Sequence, residues 1–508
     1  MPHPWFHLIA SWLLKKRIHQ IELFIKYPVE VQLELMLELL KVASNTQMGR
    51  QYDFASIENY ETFKSRLPLV EYEQITHLID RCRKGEQNIF WPTHIKWFAK
   101  SSGTTNDKSK YIPVSTQALE SCHYKAGKDM LSLYFHNNPK SQLLAGKNLK
   151  LGGSHELYHK HHSYYGDLSA IIIDNLPFWA KLSSTPNQSV SLMGEWESKM
   201  KAIVKKTVKQ KVTGMAGVPS WMLSLLNEVL KHTEKENIKQ VWPNLEVYFH
   251  GGVSFNPYMS QFEQLIPDQE FKYYEIYNAS EGFLAIQDRN YEKDLLLMLD
   301  YGIFYEFIPL GMDQKAIKDQ IVTIDGVELG VQYEIVITTN AGLWRYRIGD
   351  TIIFTSLSPY RIQVTGRTKS HINAFGEELI VDNAEKALEQ VNKKHQSLIS
   401  DYTVAPIFMD NGSKGSHQWI IEFKSPPKNI NQFTIDLDQA LQNLNSDYQA
   451  KRYKNITVDL PMIHMARENL FYDWLASKNK LGGQHKVPRL SNSRQHVEQL
   501  LKFEKSDS

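Results

Sequence analysis

The stretch from Lys100 to Lys110 has the residue types and spacing best suited to binding phosphate. Hydroxyl side chains surround one glycine and lysines follow closely, in the order Ser101, Ser102, Gly103, Thr104, Thr105, Lys108 and Lys110. Hydroxyls and backbone N–H groups can bind phosphate oxygens, and nearby cationic side chains offset the phosphate charge. The pattern is not that of a P-loop. The stretch therefore predicts a phosphate-binding loop of another type, with an ordinary solvated turn as the alternative.

Three further polar motifs follow this loop along the sequence. They are residues 277–282 (Tyr-Asn-Ala-Ser-Glu-Gly), residues 344–350 (Trp-Arg-Tyr-Arg-Ile-Gly-Asp) and residues 366–369 (Gly-Arg-Thr-Lys). A lone motif of this kind is weak, because each residue type is common in turns. The ordered set is much more specific than any one of its members.

Together these motifs resemble those of the adenylate-forming superfamily, which contains acyl-CoA synthetases, luciferases and peptide-synthetase adenylation domains. More closely, the chain resembles the acyl-acid amido synthetases, the auxin-responsive Gretchen Hagen 3 family, in its bacterial type. The closer likeness rests on the Ser-Ser-Gly-Thr-Thr loop and on residues 250–253 (His-Gly-Gly-Val), 304–307 (Phe-Tyr-Glu-Phe) and 486–489 (Lys-Val-Pro-Arg). The resemblance covers most of the chain. It implies an α/β fold, with a large mixed α/β N-terminal domain of the adenylate-forming type and a small mobile α+β C-terminal domain.

The same resemblance implies a ligase that forms a carbon–nitrogen bond through an acyl-adenylate. A carboxylate would attack the α-phosphorus of ATP, pyrophosphate would leave, and the acyl group would pass to the amine of an amino acid. ATP and Mg²⁺ are the implied cofactors, and a small-molecule carboxylic acid and an amino acid are the implied substrates. An acyl-CoA ligase with the same first step is one alternative, and a nucleotide-binding relative without turnover is another.

The resemblance also implies roles for single residues. Glu281 would hold Mg²⁺, because a carboxylate suits a hard cation bound to phosphates, and its alternative is a solvated acid in a turn. Asp350 would bind the ribose, since a carboxylate can accept from both sugar hydroxyls, and its alternative is an ion pair with Arg347. Tyr277 would offer a stacking face to the base, or it is a buried tyrosine at a strand end.

Lys486, Glu281 and Arg367 are expected to be the catalytic residues. Lys486 resembles the mobile lysine that reaches the α-phosphate, although a lysine close to Gly482 and Gly483 could equally be solvated. The residues expected to bind the nucleotide are Ser101, Ser102, Gly103, Thr104, Thr105, Lys110, Gly252, Val253, Tyr277, Asn278, Ala279, Ser280, Asp350 and Arg367. Tyr124, Trp221 and Phe304 are candidate walls of the acyl pocket, with packing in the core as the alternative.

The character of the sequence changes after Lys369, where the superfamily has its hinge. We predict a large N-terminal domain at residues 1–365, a hinge at residues 366–370 and a small C-terminal domain at residues 371–508. Lys369 would be the hinge residue that turns.

Composition agrees with a cytoplasmic enzyme. A chain of 508 residues is too long for one core and indicates two domains or one large domain with an appendage. A net charge of +2 gives no broad basic field, so nucleic acid is not an expected partner. Cys82 and Cys122 cannot form a disulfide framework or a zinc site by themselves. No segment approaches the ~20 apolar residues of a membrane span, and the oligomeric state stays open, with a monomer as one option.

Apolar periodicity predicts the elements that position these motifs. Residues 29–42 should form a helix with a core stripe of Val31, Leu35, Leu39 and Val42. The six lysines within residues 199–211 indicate the exposed face of another helix. Further strands are expected at residues 95–99, 111–114, 244–249, 334–338, 351–354, 402–409 and 418–423, and further helices at residues 382–391 and 433–453.

Overall fold

A computed structural model of the chain provides the fold. It describes residues 16–101, 110–152, 158–160, 162–176, 181, 183–191, 193, 196–252, 255, 258–310, 320–368, 371–372, 379–407, 415–445, 448–449, 452, 458–478, 486–491 and 493–506. Among the predicted site residues, Ser102, Gly103, Thr104, Thr105, Val253 and Lys369 lie outside these ranges.

The described strands form one large mixed sheet and three smaller sheets. In chain order they are β1 (Trp97–Ser101), β2 (Lys110–Val114), β3 (Lys147–Leu151), β4 (Tyr158–Lys160), β5 (Ser163–Gly166), β6 (Ser184–Thr185), β7 (Val212–Gly217), β8 (Val247–Gly251), β9 (Lys272–Ala279), β10 (Gly282–Ile286), β11 (Leu295–Leu297), β12 (Ile303–Pro309), β13 (Gln332–Thr339), β14 (Tyr346–Leu357), β15 (Tyr360–Arg367), β16 (His371–Ile372), β17 (Leu379–Ile380), β18 (Leu398–Ile407), β19 (Ser416–Ser425) and β20 (Met462–Ala466). The large sheet has the order β12-β13-β14-β15-β11-β10-β9-β8-β7-β3-β6, and a second sheet has the order β2-β1-β5-β4. The strands predicted from sequence are present, with ends displaced by a few residues.

The large sheet changes from parallel to antiparallel pairing at β9. The pairs from β6 through β3, β7 and β8 to β9 are parallel. From β9 to β12 every pair is antiparallel. The carboxyl ends of parallel strands meet at one edge of a sheet, and ligands of open α/β sheets bind at that edge. The loops that follow β3, β7, β8 and β9 therefore converge.

Helices cover both faces of the parallel strands. In chain order the α-helices of four or more residues named here are α1 (Pro28–Ala43), α2 (Gln47–Gln51), α3 (Tyr60–Arg66), α4 (Tyr72–Arg83), α5 (Lys125–Asn137), α6 (Leu168–Asp174), α7 (Gln188–Ser191), α8 (Trp196–Thr207), α9 (Pro219–Thr233), α10 (Ile238–Val241), α11 (Met259–Leu265), α12 (Val381–His395), α13 (Ile430–Leu444), α14 (Leu470–Ser477) and α15 (Gln495–Ser506). Side chains alternate between the faces of a strand. Accordingly Tyr248 of β8 packs with α9 and α11, whereas Val247 and Phe249 pack with Tyr134 of α5.

Helix α1 confirms the predicted helix, but its buried stripe is rotated from the predicted one. Leu39 is buried as predicted, whereas Val42 is 41% exposed. Gln32 is buried instead, because its side-chain amide donates to the carbonyls of Leu299 and Ile303 and accepts from the N–H of Tyr305. A polar side chain with all these partners can face the core, and hydrophobic periodicity alone does not anticipate it.

The C-terminal part has its own sheet, in the order β18-β19-β20, with α12 and α13 packed against it. Helix α12 buries Ala384, Ala387, Leu388 and Val391, which lie on one face at helical spacing. The helix predicted to reach residue 453 instead ends at Leu444. Asn445 has an extended backbone there, and its side chain accepts from the N–H of Tyr448. Asparagine often begins a new helical turn in this way.

The described residues confirm the predicted fold class, an α/β chain with a large mixed N-terminal part and a smaller α+β C-terminal part. The boundaries at residues 365 and 371 stay a prediction. None of the helices in the described ranges combines the length and apolarity needed to cross a membrane.

Candidate active site

A cavity of about 1580 Å³ lies where the parallel strands end, and the C-terminal part forms one of its walls. Its lining brings together residues that are far apart in the sequence and that the motifs predicted. These are Trp221, Gly252, Tyr277, Asn278, Ala279, Ser280, Glu281, Asp350 and Lys486. The fold therefore brings these segments together around one cavity, while their functional roles stay a prediction.

Two glycines let the backbone turn closely after β8. A Cβ atom at Gly251 would lie 2.3 Å from the carbonyl oxygen of Ile276 on the neighbouring strand. Gly252 has a φ of +79°, which other residues rarely adopt. The chain can therefore leave the sheet at this edge without a side chain of its own at either position. His250, just before, is 3% exposed, and burial lowers its pKa to about 3.

Residues 277–282 form the tight connection between β9 and β10. Ala279 pairs with Gly282, so Ser280 and Glu281 occupy the turn between the two strands. Glu281 is half-buried and lines the cavity, with Asn278 and Ser280 beside it in the same segment. Because the turn follows β9, the last strand with a parallel partner, the polar groups of the turn lie in the wall of the cavity.

Asp350 is positioned by two neighbouring strands. It lies on β14, which already begins at Tyr346, so the second half of the 344–350 motif belongs to the strand. Asp350 pairs with Arg367 of β15 in the sheet register. Its Oδ2 accepts a hydrogen bond of 2.6 Å from the hydroxyl of Tyr277. Both residues are buried, at 4% and 8% exposed, so two predicted nucleotide-binding side chains support each other.

The alternative ion pair between Asp350 and Arg347 does not form. Arg347 instead pairs with Glu334 at 2.6 Å and with Glu71 at 3.2 Å. Arg345, from the same motif, donates to Glu306 at 2.7 Å in a pair that is almost completely buried. Both arginines of the motif therefore stabilise the fold and leave Asp350 facing the cavity.

Lys486 reaches into the cavity from the C-terminal part. Its Nζ donates to the carbonyl oxygen of Gly252 at 2.5 Å. The segment is fixed by Arg489, which donates to the carbonyl of Tyr402, to the hydroxyl of Tyr258 and to Asp401. Arg489 thereby joins an aspartate and a tyrosine of β18 to a tyrosine of the large part. The cation predicted to act on the α-phosphate thus faces the predicted nucleotide site.

Other predicted residues lie elsewhere or are described only in part. Ser101 and Arg367 are placed by their backbones, at the ends of β1 and β15. The Nζ of Lys110 lies 5.5 Å from the ring centroid of Tyr72. Tyr124 donates its hydroxyl to the carbonyl of Asn175 and is not among the described lining residues.

Phe304 and Trp221, the other two candidate pocket walls, differ in position. Phe304 is 1% exposed, and its ring packs edge-on against Phe63 at 5.8 Å between centroids. This placement favours the core alternative for Phe304, because the ring is enclosed by other aromatic side chains. Trp221 lies on α9 and lines the cavity, so it keeps its place as a candidate wall.

Two buried ionisable residues near the cavity were not identified from sequence. Lys199 belongs to the lysine run that was expected to be solvated, yet it is 1% exposed, and burial lowers its pKa to about 8. Asp167 is 2% exposed and lines the cavity. The helical spacing of Lys199 with the buried Met200 and Ile203 was the available signal, because the three residues share one face.

The oxygen donors of the cavity suit a hard divalent cation bound through phosphates. Glu281 supplies a carboxylate, and Asn278 and Ser280 supply neutral oxygen atoms in the same segment. Mg²⁺ typically takes one or two carboxylates and obtains its other ligands from substrate phosphates and water. Within the described residues no cluster of three or more His, Cys, Asp or Glu side chains could enclose a metal by itself. The donor set therefore fits Mg²⁺ that arrives with a nucleotide.

Comparison with protein families gives three successive matches along the chain. Residues 17–271 match the GH3 family N-terminal domain, residues 296–367 the GH3 family central domain and residues 382–495 the GH3 family C-terminal domain. The chain is 23% identical to indole-3-acetic acid-amido synthetase GH3.4 of Arabidopsis thaliana, over 93% of this chain and 91% of that protein. It is 22% identical to the 4-substituted benzoates-glutamate ligase GH3.12 of the same plant, over 91% and 93%.

Solved structures give the same result for the fold. The chain superposes on a GH3.15 acyl acid amido synthetase with a TM-score of 0.78, at 16% identity, over 93% of both chains. It superposes on a 2-hydroxyisobutyryl-CoA ligase in the postadenylation state with a TM-score of 0.59, at 12% identity, over 94% of this chain and 91% of that one. These likenesses confirm the predicted adenylate-forming fold. Both relatives named above are plant proteins, so the bacterial type stays a prediction.

Proposed function

The chain belongs to the GH3 family, and we propose that it is an ATP-dependent acyl-acid amido synthetase. The observation that carries the proposal is the meeting of Glu281, the Tyr277–Asp350 pair and Lys486 around one cavity. Each supplies a different requirement of adenylation: an anchor for a metal, a grip on a sugar and a cation for phosphate. The curated relatives are named as amido synthetases or acid–amino acid ligases, which supports the same activity.

In the first step, a carboxylate oxygen of the acid bonds to the α-phosphorus of ATP and pyrophosphate leaves. Asp350 would accept from ribose hydroxyls, and the hydrogen bond from Tyr277 that orients its carboxylate supports this role. Glu281 would hold Mg²⁺, which screens the triphosphate charge when it is bound. Lys486 would exchange its bond to the Gly252 carbonyl for one to an α-phosphate oxygen, where negative charge develops.

The loop of Ser101, Ser102, Gly103, Thr104 and Thr105 is proposed to bind the phosphates, together with Lys110. Its support is the fold position of its ends, since β1 and β2 pair up to Ser101 and Lys110. Arg367 lies beside Asp350 in the sheet, which supports its proposed contact with the ribose. Lys369 is proposed as the hinge residue from the resemblance alone.

In the second step, the amine of an amino acid attacks the acyl carbon and AMP leaves. GH3.4 and GH3.12 are named for different acids, so the acid of this protein is to be identified by experiment. The cavity is large enough for a nucleotide and a small acid together, because a typical ligand pocket has only about 300–1,000 Å³. Trp221 is proposed as one wall of the acyl pocket.

Carboxylate-dependent exchange of pyrophosphate into ATP tests the adenylation step. A panel of aryl, indolyl and aliphatic acids should contain at least one that supports exchange in the presence of Mg²⁺. Mixed amino acids and coenzyme A are then offered separately with that acid. We expect an acyl-amino acid and no acyl-CoA by mass spectrometry, whereas an acyl-CoA product without an amide would favour the thioester ligase instead.

A further inference from the structure

Asp167 lies at the point where the predicted phosphate loop leaves the sheet. It follows β5, which runs parallel to β1 with Gly166 opposite Ala99. Asp167 is the first residue after this paired stretch, and Lys100, the residue after Ala99, is close enough to act on its charge. It also lines the cavity, as does Gly152 at the end of β3. Strands β5 and β3, which belong to different sheets, therefore both end at the wall of the cavity that Asp167 lines.

The carboxylate of Asp167 is not used to cap the helix that follows it. Asp167 is the N-cap residue of α6, yet its side chain makes no capping hydrogen bond. Its Oδ2 is buried and has no hydrogen-bond partner among the described residues. Buried polar atoms are nearly always paired, because an unpaired one destabilises the fold. A carboxylate kept in this state at a cavity wall points to a partner that arrives with the substrates.

Charged groups from two other elements face Asp167. Lys100 of β1 and Lys199 of α8 both favour its ionised form, while burial disfavours it more strongly and raises its pKa to about 7. Lys199 itself donates to the carbonyl of Gly152 at 3.2 Å. A carboxyl group of this kind can both release and accept a proton near neutral pH, which is the requirement for general acid–base catalysis.

Resting on the function proposed above, we propose that Asp167 is the general base of the amide-forming step. The nitrogen of the amino acid, in its neutral amine form, bonds to the acyl carbon, and the bond from that carbon to the phosphate-linked oxygen breaks. AMP leaves with the electron pair, and one N–H proton moves to Oδ2 of Asp167. Each atom and charge is then accounted for without a further reactant.

Other ionisable groups in the cavity suit this role less well. His250 is a weak base in its buried site, because burial lowers its pKa to about 3. Glu422 accepts hydrogen bonds from the backbone N–H groups of Asn469 and Phe471 with its two oxygens. Glu275 has a raised pKa of about 7, mainly through burial and then through Glu385 of α12. Glu275 thus has a pKa similar to that of Asp167 but no role in the proposed step, so it serves as the control for Asp167.

The test compares Asp167→Asn with Glu275→Gln in single-turnover transfer from isolated acyl-adenylate. For Asp167→Asn we expect transfer to the amino acid to fall by about 100-fold or more, while pyrophosphate exchange stays within about threefold. Transfer to hydroxylamine, a weakly basic nucleophile that loses its proton easily, should stay near the wild-type rate. Glu275→Gln should keep transfer to the amino acid. Normal transfer in Asp167→Asn, or equal losses in exchange and transfer, would overturn the proposal.

A second variant separates a catalytic role from a structural one. Asp167→Ala should recover part of its transfer rate when formate is added, because the small carboxylate can occupy the vacated space and accept the proton. Wild-type enzyme should not respond to formate, and a variant that transfers slowly with and without formate would count against the proposal. Wild-type protein that makes neither exchange nor amide would instead refute the proposed function itself.

Thermal unfolding shows whether the substitution disturbs the fold. The folded-state pKa of Asp167 is raised above that of an unfolded carboxyl group, so the wild type loses stability as the pH rises through about 7. At pH 8 the Asp167→Asn protein should therefore unfold at or above the wild-type temperature. A much lower unfolding temperature would assign Asp167 a structural role and contradict the proposal.

Discussion

Among single residues, Glu281 is the proposed anchor of a metal ion. Replacing Glu281 with Gln keeps its size and removes its charge, so Mg²⁺ would lose its protein carboxylate. We expect pyrophosphate exchange to fall by about 100-fold or more, because a metal that stabilises phosphate charge contributes several kcal/mol to the transition state. Glu292→Gln is the control, because Glu292 is exposed at the rim of the same cavity and its replacement should leave exchange unchanged. Wild-type exchange in Glu281→Gln would show that Glu281 is not the metal ligand.

The hydrogen bond between Tyr277 and Asp350 gives a second prediction at this scale. Tyr277→Phe keeps the ring and removes the hydroxyl that donates to Asp350 at 2.6 Å. A hydrogen bond to a charged group contributes about 1.5–3 kcal/mol, so a less well-held Asp350 should raise the KM for ATP by roughly tenfold. Steady-state kinetics at varied ATP measures this change.

Tyr333→Phe is the matched control for that experiment. Its hydroxyl accepts from the N–H of Glu328, away from the cavity, so its removal should leave the KM for ATP unchanged. An unchanged KM in both variants would mean that the Tyr277 hydroxyl does not organise the nucleotide site.

At the scale of elements, part of the recognisable signature stabilises the sheet instead of serving the chemistry. Glu306 of β12 and Arg345 before β14 form a pair whose side chains are 1% and 3% exposed, and Tyr60 donates to the same carboxylate. Glu306→Gln would leave the guanidinium buried without its counter-charge. We expect a loss of about 3 kcal/mol or more in the free energy of unfolding, measured by denaturant titration.

An exposed ion pair supplies the comparison for this prediction. Asp473 pairs with Arg467 while both side chains are at least one third exposed, so Asp473→Asn should cost less than about 1 kcal/mol. Equal losses in the two variants would contradict the idea that burial makes the Glu306–Arg345 pair important for stability.

The elements also show how far sequence could predict the site. Tyr277, Glu281, Asp350 and Lys486 could be proposed as site residues because each lies in an ordered motif. Asp167 could not, since its place beside Lys100 depends on the pairing of β1 with β5, which are more than sixty residues apart. Long-range pairing of this kind leaves no local pattern. The rotation of α1 toward Gln32 was missed for a similar reason, because the partners of its amide lie near β12.

At the scale of the whole molecule, the C-terminal part contributes Lys486 to a site built by the large part. If this arrangement serves adenylation, Lys486→Ala should lower pyrophosphate exchange by about 100-fold, since one donor to developing phosphate charge is lost. Transfer from isolated acyl-adenylate should change by less than about threefold, because the mobile C-terminal part is expected to have carried Lys486 away from the phosphate by that step. Exchange and single-turnover transfer assays measure the two steps.

Lys478→Ala, at an exposed position of the same C-terminal part, is the control for that variant. It should leave both half-reactions unchanged. If Lys486→Ala slows both half-reactions equally, Lys486 acts as a general binding or structural residue, and the division of labour between the two parts of the molecule is wrong.

Oxygen labelling tests the central claim, that an acid is activated as its adenylate and then converted to an amide. The acid found by the exchange screen is labelled with ¹⁸O in its carboxylate and incubated with ATP, Mg²⁺ and an amino acid. We expect one ¹⁸O atom in AMP and an acyl-amino acid, both detected by mass spectrometry, because the attacking oxygen stays on the phosphorus when the amine takes the acyl group. Label in inorganic phosphate with formation of ADP, or unlabelled AMP beside the amide, would contradict it.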